Sequence, residues 1–117
     1  MSVTKHGQKE VEKVANVLKL FGDKTRLTML GLLKDNECCV CEFVEIFHIS
    51  QPAVSQHIRR FKDIGLVNET RRNNWIFYSL NKDSEFYPLL QDLLNYIPEQ
   101  QEKTKQLEEQ GLRICGE

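Results

Sequence analysis

The chain has 117 residues, of which 40% are hydrophobic and 28% are charged, and its formal net charge is −1. This length suits one hydrophobic core rather than two, so we expect a single domain. No apolar run approaches the roughly 20 residues that span a bilayer, and the polar start from Met1 to Glu12 has no signal-peptide character. We therefore expect a cytoplasmic protein with no membrane partner.

The first third of the chain predicts two helices. Apolar residues recur at helical spacing from Val11 to Phe21, and Gly22 marks the end of that helix. Asp23 is suited to cap a second helix, which we expect to end at about Asp35.

The middle of the chain predicts two further helices joined by a tight turn. A short third helix is expected from Val40 to Phe47, where apolar residues form a stripe. Ser50 is suited to cap a fourth helix from Pro52 to Ile64, because proline is tolerated in a first turn whose amides have no helical acceptors. Gly65 provides the left-handed residue that ends this helix.

Beyond Gly65 the apolar pattern changes its period. Leu66 to Thr70 and Trp75 to Leu80 predict the two strands of a hairpin, and the polar segment Arg71 to Asn74 lies between them, with its two asparagines as the turn. A last amphipathic helix is expected from Phe86 to Ile97.

Two helices joined by a tight turn and followed by a hairpin predict a winged helix-turn-helix, mainly α with a small β-hairpin wing. In this arrangement the second helix enters the major groove of DNA. Residues 51–72 carry five basic and two acidic residues, a local balance of +3, whereas residues 83–117 carry three basic and eight acidic ones, a balance of −5. The candidate contacts to double-stranded DNA are the polar, small and basic residues of the fourth helix and the wing. They are Gln51, Pro52, Ala53, Ser55, Gln56, His57, Arg59, Arg60, Arg71, Arg72 and Asn73.

Three of the four cysteines, Cys38, Cys39 and Cys41, lie together at the predicted start of the third helix, and Cys115 lies far away. This clustering suits a metal or redox site in a reducing compartment better than a disulfide framework. A thiolate at a helix N-terminus is stabilised by the helix dipole and by free amides, and sulfur selects soft ions. Arsenite, antimonite, cadmium, lead and zinc are therefore the candidate ligands.

The sequence resembles the ArsR/SmtB family of metal-sensing repressors from about residue 14 to residue 94. The resemblance rests on four segments: LKLFGDKTRL at residues 18–27, ECCVCEF at 37–43, ISQPAVSQH at 49–57 and IFYSL at 76–80. It implies a homodimer built from the first and last helices, and a repressor that leaves its operator when a ligand binds. No cofactor is expected to be required for DNA binding.

The same resemblance implies that Cys39 and Cys41 are the metal ligands. The best-known arsenic sensors have another cysteine three residues after this pair, where this chain has Val44. Cys38 and Cys115 are thus the candidates for a third thiolate. We expect arsenite or antimonite as the inducer, with cadmium, lead or zinc as alternatives.

Residues two apart on a regular helix point about 200° away from one another. Both sulfurs can therefore reach one ion only if this turn is irregular or becomes distorted, and we expect such a distortion to couple the ligand to DNA binding.

Three alternatives to a metal-sensing repressor remain open. A thiol redox sensor on the same fold would use the same cysteines. A thiol oxidoreductase is disfavoured, because the Cys38 to Cys41 spacing lies between helices instead of after a strand, so we expect no enzyme. A protein-interaction module would use the acidic last helix. We assign residues 1–98 to a DNA-binding and dimerisation domain and residues 99–117 to a polar extension that is helical or frayed.

Overall fold

The computed structural model describes the backbone of residues 5–97 and the side chains of residues 10–97. It contains five helices and two strands within that range, and none of these helices has the length and apolarity needed to cross a bilayer. The elements are α1 (Lys5–Phe21), α2 (Lys24–Leu33), α3 (Val40–Phe47), α4 (Gln51–Asp63), β1 (Val67–Arg72), β2 (Trp75–Leu80) and α5 (Tyr87–Leu94).

Helices α2 and α4 begin at the predicted side-chain caps. The Asp23 carboxylate accepts a hydrogen bond from the Arg26 amide at 2.9 Å, and the Ser50 hydroxyl accepts one from the Ala53 amide at 3.2 Å. Each cap satisfies an amide that has no acceptor within its helix. Pro52 lies in the first turn of α4, as predicted.

The end of α4 is also as predicted. Gly65 has φ +71°, and the Leu66 amide donates to the Phe61 carbonyl at 2.9 Å. The Gly65 amide donates to the Lys62 carbonyl at 2.9 Å, which completes a Schellman motif. This stop turns the chain directly into β1.

Strands β1 and β2 form an antiparallel hairpin whose register runs from Val67–Leu80 to Arg72–Trp75. Asn73 has φ +57° in the two-residue turn. The sequence analysis placed Arg71 and Arg72 in the polar segment between the strands, and this boundary was wrong. A two-residue turn lets the ladder continue to its edge, so both arginines belong to β1.

The core joins all five helices to the hairpin. Its fully buried side chains are Val17, Met29, Leu30, Leu32, Leu33, Cys38, Phe43, Val54, Ile58, Phe61, Leu66 and Leu90. The predicted stripe of α4 is part of this set, so α4 presents one apolar side to the core and leaves its other side for a partner. The first helix starts earlier than its apolar pattern indicated, at Lys5, and α5 is shorter than predicted.

Candidate nucleic-acid interface and cysteine site

The exposed side of α4 carries most of the predicted DNA contacts. Six candidates on this helix are exposed: Gln51, Pro52, Ser55, Gln56, Arg59 and Arg60. Ala53 and His57 are half-buried at its margin. The small and amide-bearing residues lie near the start of the helix and the two arginines lie nearer its end. The helix can thus present short side chains to base edges and guanidinium groups to phosphates.

The basic residues of this region differ in how they are engaged within the chain. Lys62 forms an ion pair with Glu69, and Arg72 forms one with Glu37 while its guanidinium lies 4.3 Å from the centre of the Phe77 ring. Within the part of the chain that the structure describes, the exposed Arg59, Arg60 and Arg71 form no salt bridge. The last three are therefore the best placed to meet DNA phosphates.

His57 differs from its exposed neighbours on α4. Its Nδ1 atom is buried and has no hydrogen-bond partner among the described residues. Burial, followed by the positive charge of Arg26, lowers the pKa of His57, while the Asp23 carboxylate acts in the opposite direction. His57 therefore contacts the start of α2 as well as bordering the predicted DNA face.

The cysteine pair lies where α3 begins. Cys39 is the N-cap residue, with extended backbone angles of φ −97° and ψ 168°, and it therefore lies outside the regular helix. The structure joins Cys39 to Cys41 by a disulfide, with Cα atoms 5.5 Å apart. The irregular turn that the sequence analysis required is thus present without any ligand. The expected distortion on binding is not needed to bring the two sulfurs together, so the coupling to DNA has to be sought elsewhere.

Cys38 has a different environment from the pair that follows it. Its backbone makes two hydrogen bonds with Tyr78 of the wing, donating to the carbonyl at 3.0 Å and accepting from the amide at 2.8 Å. Its side chain is buried in the hydrophobic core. This bridge attaches the cysteine segment directly to β2. Cys115, the other candidate third thiolate, lies outside the described residues.

Glu42 was not among the sequence candidates, and it stabilises the cysteine turn. Its side chain is only 2% exposed, and its carboxylate accepts a hydrogen bond from the Cys39 amide at 3.0 Å. An acidic residue three positions after an N-cap residue is the sequence signal of a capping box, although cysteine is not the usual cap. The carboxylate therefore holds the backbone of Cys39 in its extended conformation.

A groove of about 580 Å³ connects the cysteine pair to both parts of the predicted DNA interface. One wall is formed by the start of α3, another by the start of α4, and the third by the wing. The lining includes Cys39, Cys41, Gln51, Ser55, Trp75 and Ile76, and we call this space the cysteine groove. Two DNA-contact candidates therefore share it with the two predicted ion ligands. Among the described residues, no three His, Cys, Asp or Glu side chains form a group that could hold a metal ion.

The order α3, α4, β1, β2, with an exposed polar and basic face on α4, defines a winged helix-turn-helix DNA-binding protein. Residues 23–69 match the model of a family described as bacterial regulatory protein, arsR family. An arsenical resistance operon repressor of Staphylococcus aureus is 32% identical over 86 residues, which cover 74% of this chain and 78% of the relative. The chain belongs to the ArsR family of transcriptional regulators.

Other family relatives agree with this assignment. The transcriptional repressor SdpR of Bacillus subtilis is 34% identical over 82 residues, covering 70% of this chain and 86% of SdpR. The structure of reduced HlyU from Vibrio cholerae N16961 superposes with a TM-score of 0.68 at 30% identity, covering 80% of this chain and 98% of HlyU. The chain is therefore an ArsR-family transcriptional repressor, and its family consists of DNA-binding regulators rather than enzymes.

Proposed function

We propose that this repressor binds operator DNA in the cytoplasm as a homodimer and releases it when the thiols of Cys39 and Cys41 bind arsenite or antimonite. The observation that carries the proposal is the cysteine groove. A ligand on the two sulfurs would lie between the start of α4 and the wing, which are the two elements that must keep their relative position to dock on DNA.

The DNA part of the proposal rests on the exposed face of α4. Its small and amide side chains would reach base edges in the major groove, and Arg59 and Arg60 would meet phosphates. Arg71 and Asn73 on the wing are exposed and would contact the neighbouring backbone. In a two-fold dimer, two copies of α4 about 34 Å apart would enter successive major grooves of an inverted repeat.

The dimer is supported by an apolar stripe on α1. Val11, Val14 and Leu18 are 63%, 40% and 48% exposed, and their spacing of three and four residues places them on one side of the helix. Exposed apolar residues grouped in this way are typical of a protein interface. Tyr96, which is 85% exposed just after α5, would extend the same type of surface at the other end of the described chain.

The ligand part of the proposal rests on the thiol chemistry of the pair. Soft thiolate sulfur prefers soft ions, and an arsenical resistance repressor is among the relatives. Ligand capture would act on α3 and, through the backbone bridge between Cys38 and Tyr78, on the wing. A typical allosteric coupling of about 1–3 kcal/mol would weaken operator binding by about 5- to 150-fold.

The test is an operator-binding titration of the reduced protein with arsenite, antimonite, cadmium, lead and zinc in parallel. We expect arsenite and antimonite to release the DNA. Cys39→Ser and Cys41→Ser should each retain DNA binding and lose the response, whereas Cys38→Ser serves as the matched control for a neighbouring thiol. A full response in either of the first two variants would place the ligands elsewhere, and equal operator binding by loaded and empty protein would refute the proposal.

A second candidate function, thiol redox sensing, is favoured by the disulfide between Cys39 and Cys41. In that function, oxidation of the two thiols by a peroxide or a disulfide reagent would itself change operator binding. Comparing oxidised and reduced protein on the operator, with no metalloid present, separates the two functions. Equal binding by both forms would exclude redox sensing and leave the metalloid proposal intact.

A further inference from the structure

The cysteine groove is larger and more apolar than a bare metalloid ion requires. Besides the sulfur atoms, its walls include Val40, Val44, Trp75 and Ile76, with a volume of about 580 Å³. Inorganic arsenite carries only three oxygens on arsenic and would leave most of this space to water. An additional apolar group on the ligand would instead bury surface against the valines and the indole ring.

The number of sulfurs at the groove points to the same type of ligand. Cys39 and Cys41 line the groove, whereas the Cys38 side chain is in the core. Arsenite has three exchangeable oxygens and is best satisfied by three thiolates. A trivalent arsenical with one carbon substituent has only two exchangeable positions, so two thiolates satisfy it completely.

Val44 lies where a third ligand could be expected. It follows Cys41 by three residues, so it lies on the same side of α3, and it lines the groove. At this position the chain presents a hydrocarbon surface instead of a donor atom. That surface can contact an organic substituent and cannot ligate arsenic.

We propose that the cysteine groove binds a monosubstituted trivalent organoarsenical, with arsenic held by Cys39 and Cys41 and its aryl or alkyl group packed against Val44 and Trp75. This inference rests on the proposed function and names the ligand class of that site.

The binding step requires the reduced pair. A phosphine reductant or a cellular monothiol first supplies two electrons, and two protons are taken up, to convert the disulfide to two thiols. Phenylarsine oxide, PhAsO, then reacts with both thiols to form two As–S bonds, and its oxygen leaves as one water with the two thiol protons. The As–C bond remains intact, and arsenic stays trivalent throughout.

The experiment measures affinity directly and operator release separately. The full-length protein, reduced with a phosphine so that no competing dithiol is present, is titrated by calorimetry with phenylarsine oxide and with arsenite. We expect phenylarsine oxide to bind at least about tenfold more tightly, because its ring buries apolar area in the groove. Trp75 is the only tryptophan of the chain, so its emission should change on binding.

Three variants make the inference falsifiable. Trp75→Ala should weaken phenylarsine oxide by about tenfold and leave arsenite unchanged, because only the substituent contacts the indole. Val44→Cys should strengthen arsenite and leave phenylarsine oxide without gain. Cys115→Ser should leave phenylarsine oxide affinity unchanged, since two thiolates suffice.

The outcomes separate this inference from the proposed function. Arsenite binding as tightly as phenylarsine oxide, a Trp75→Ala loss equal for both ligands, or a loss of phenylarsine oxide binding in Cys115→Ser would each overturn the ligand class. Tight and selective binding of phenylarsine oxide without release of the operator would support the ligand class and overturn the induction mechanism. Binding of neither arsenical would overturn both proposals.

Discussion

The sharpest test of the DNA-binding face concerns the arginines of α4. Arg59 and Arg60 are exposed and form no salt bridge with any described residue, whereas Lys62 on the same helix pairs with Glu69. We predict that the double variant Arg59→Ala and Arg60→Ala weakens operator binding chiefly by removing phosphate contacts. Dimerisation should be unaffected, because the apolar stripe of α1 is untouched.

The magnitude follows from counting charges. Two arginines in each of two protomers give up to about four phosphate contacts, and each contact contributes about 0.9 to the slope of log affinity against log salt. The variant should therefore have a slope smaller by up to about 3.6. Between about 50 and 200 mM salt, the native protein should lose up to about 150-fold more affinity than the variant loses.

The assay is fluorescence anisotropy with a labelled operator duplex at four salt concentrations. Lys62→Ala is the matched control on the same helix, and it should change the slope by less than about 1, because its ammonium group is already paired. An unchanged slope in the double arginine variant would refute the assignment of these side chains to phosphates. An equal change in the lysine variant would show that the DNA face is assigned wrongly.

Three further predictions concern the fold and the dimer. Gly65→Ala should lower the free energy of unfolding in urea by about 1 kcal/mol, because φ is +71° but nothing lies within 4 Å of the added Cβ; a loss above about 3 kcal/mol would indicate a clash instead. Leu18→Glu should convert the dimer to a monomer in light scattering, while Lys19→Glu should not, and a dimeric Leu18→Glu variant would refute the α1 interface. Burial lowers the folded-state pKa of His57, so below about pH 6.5 the unfolded chain binds more protons and stability falls with pH. Unfolding of His57→Gln should show a flatter profile from about pH 7.5 to 5.5, and an unchanged profile would refute this contribution.

Much of the fold was predictable because local chemistry determines where elements start and stop. Asp23 and Ser50 cap the helices that they were predicted to cap, since a short side-chain oxygen satisfies the first free amides. Gly65 and Asn73 adopt positive φ where the sequence indicated a helix stop and a hairpin turn. These features depend on residues within a few positions of one another.

The candidate site was predictable only in part. The pairing of Cys39 with Cys41 followed from a family resemblance, and regular helix geometry argued against it. The extended N-cap conformation of Cys39, held by the buried Glu42, removes that difficulty. The ion pair between Arg72 and Glu37 also escaped prediction, because these residues are 35 positions apart.

The sequence by itself determined the order of the elements, the basic and polar face of α4, and the presence of a soft-ion site near the start of α3. Only the tertiary structure decided that this site shares one groove with Ser55 of α4 and Trp75 of the wing. The physical reason is that caps, turns and apolar stripes are local interactions. The groove exists because packing brings together three segments that local interactions leave independent.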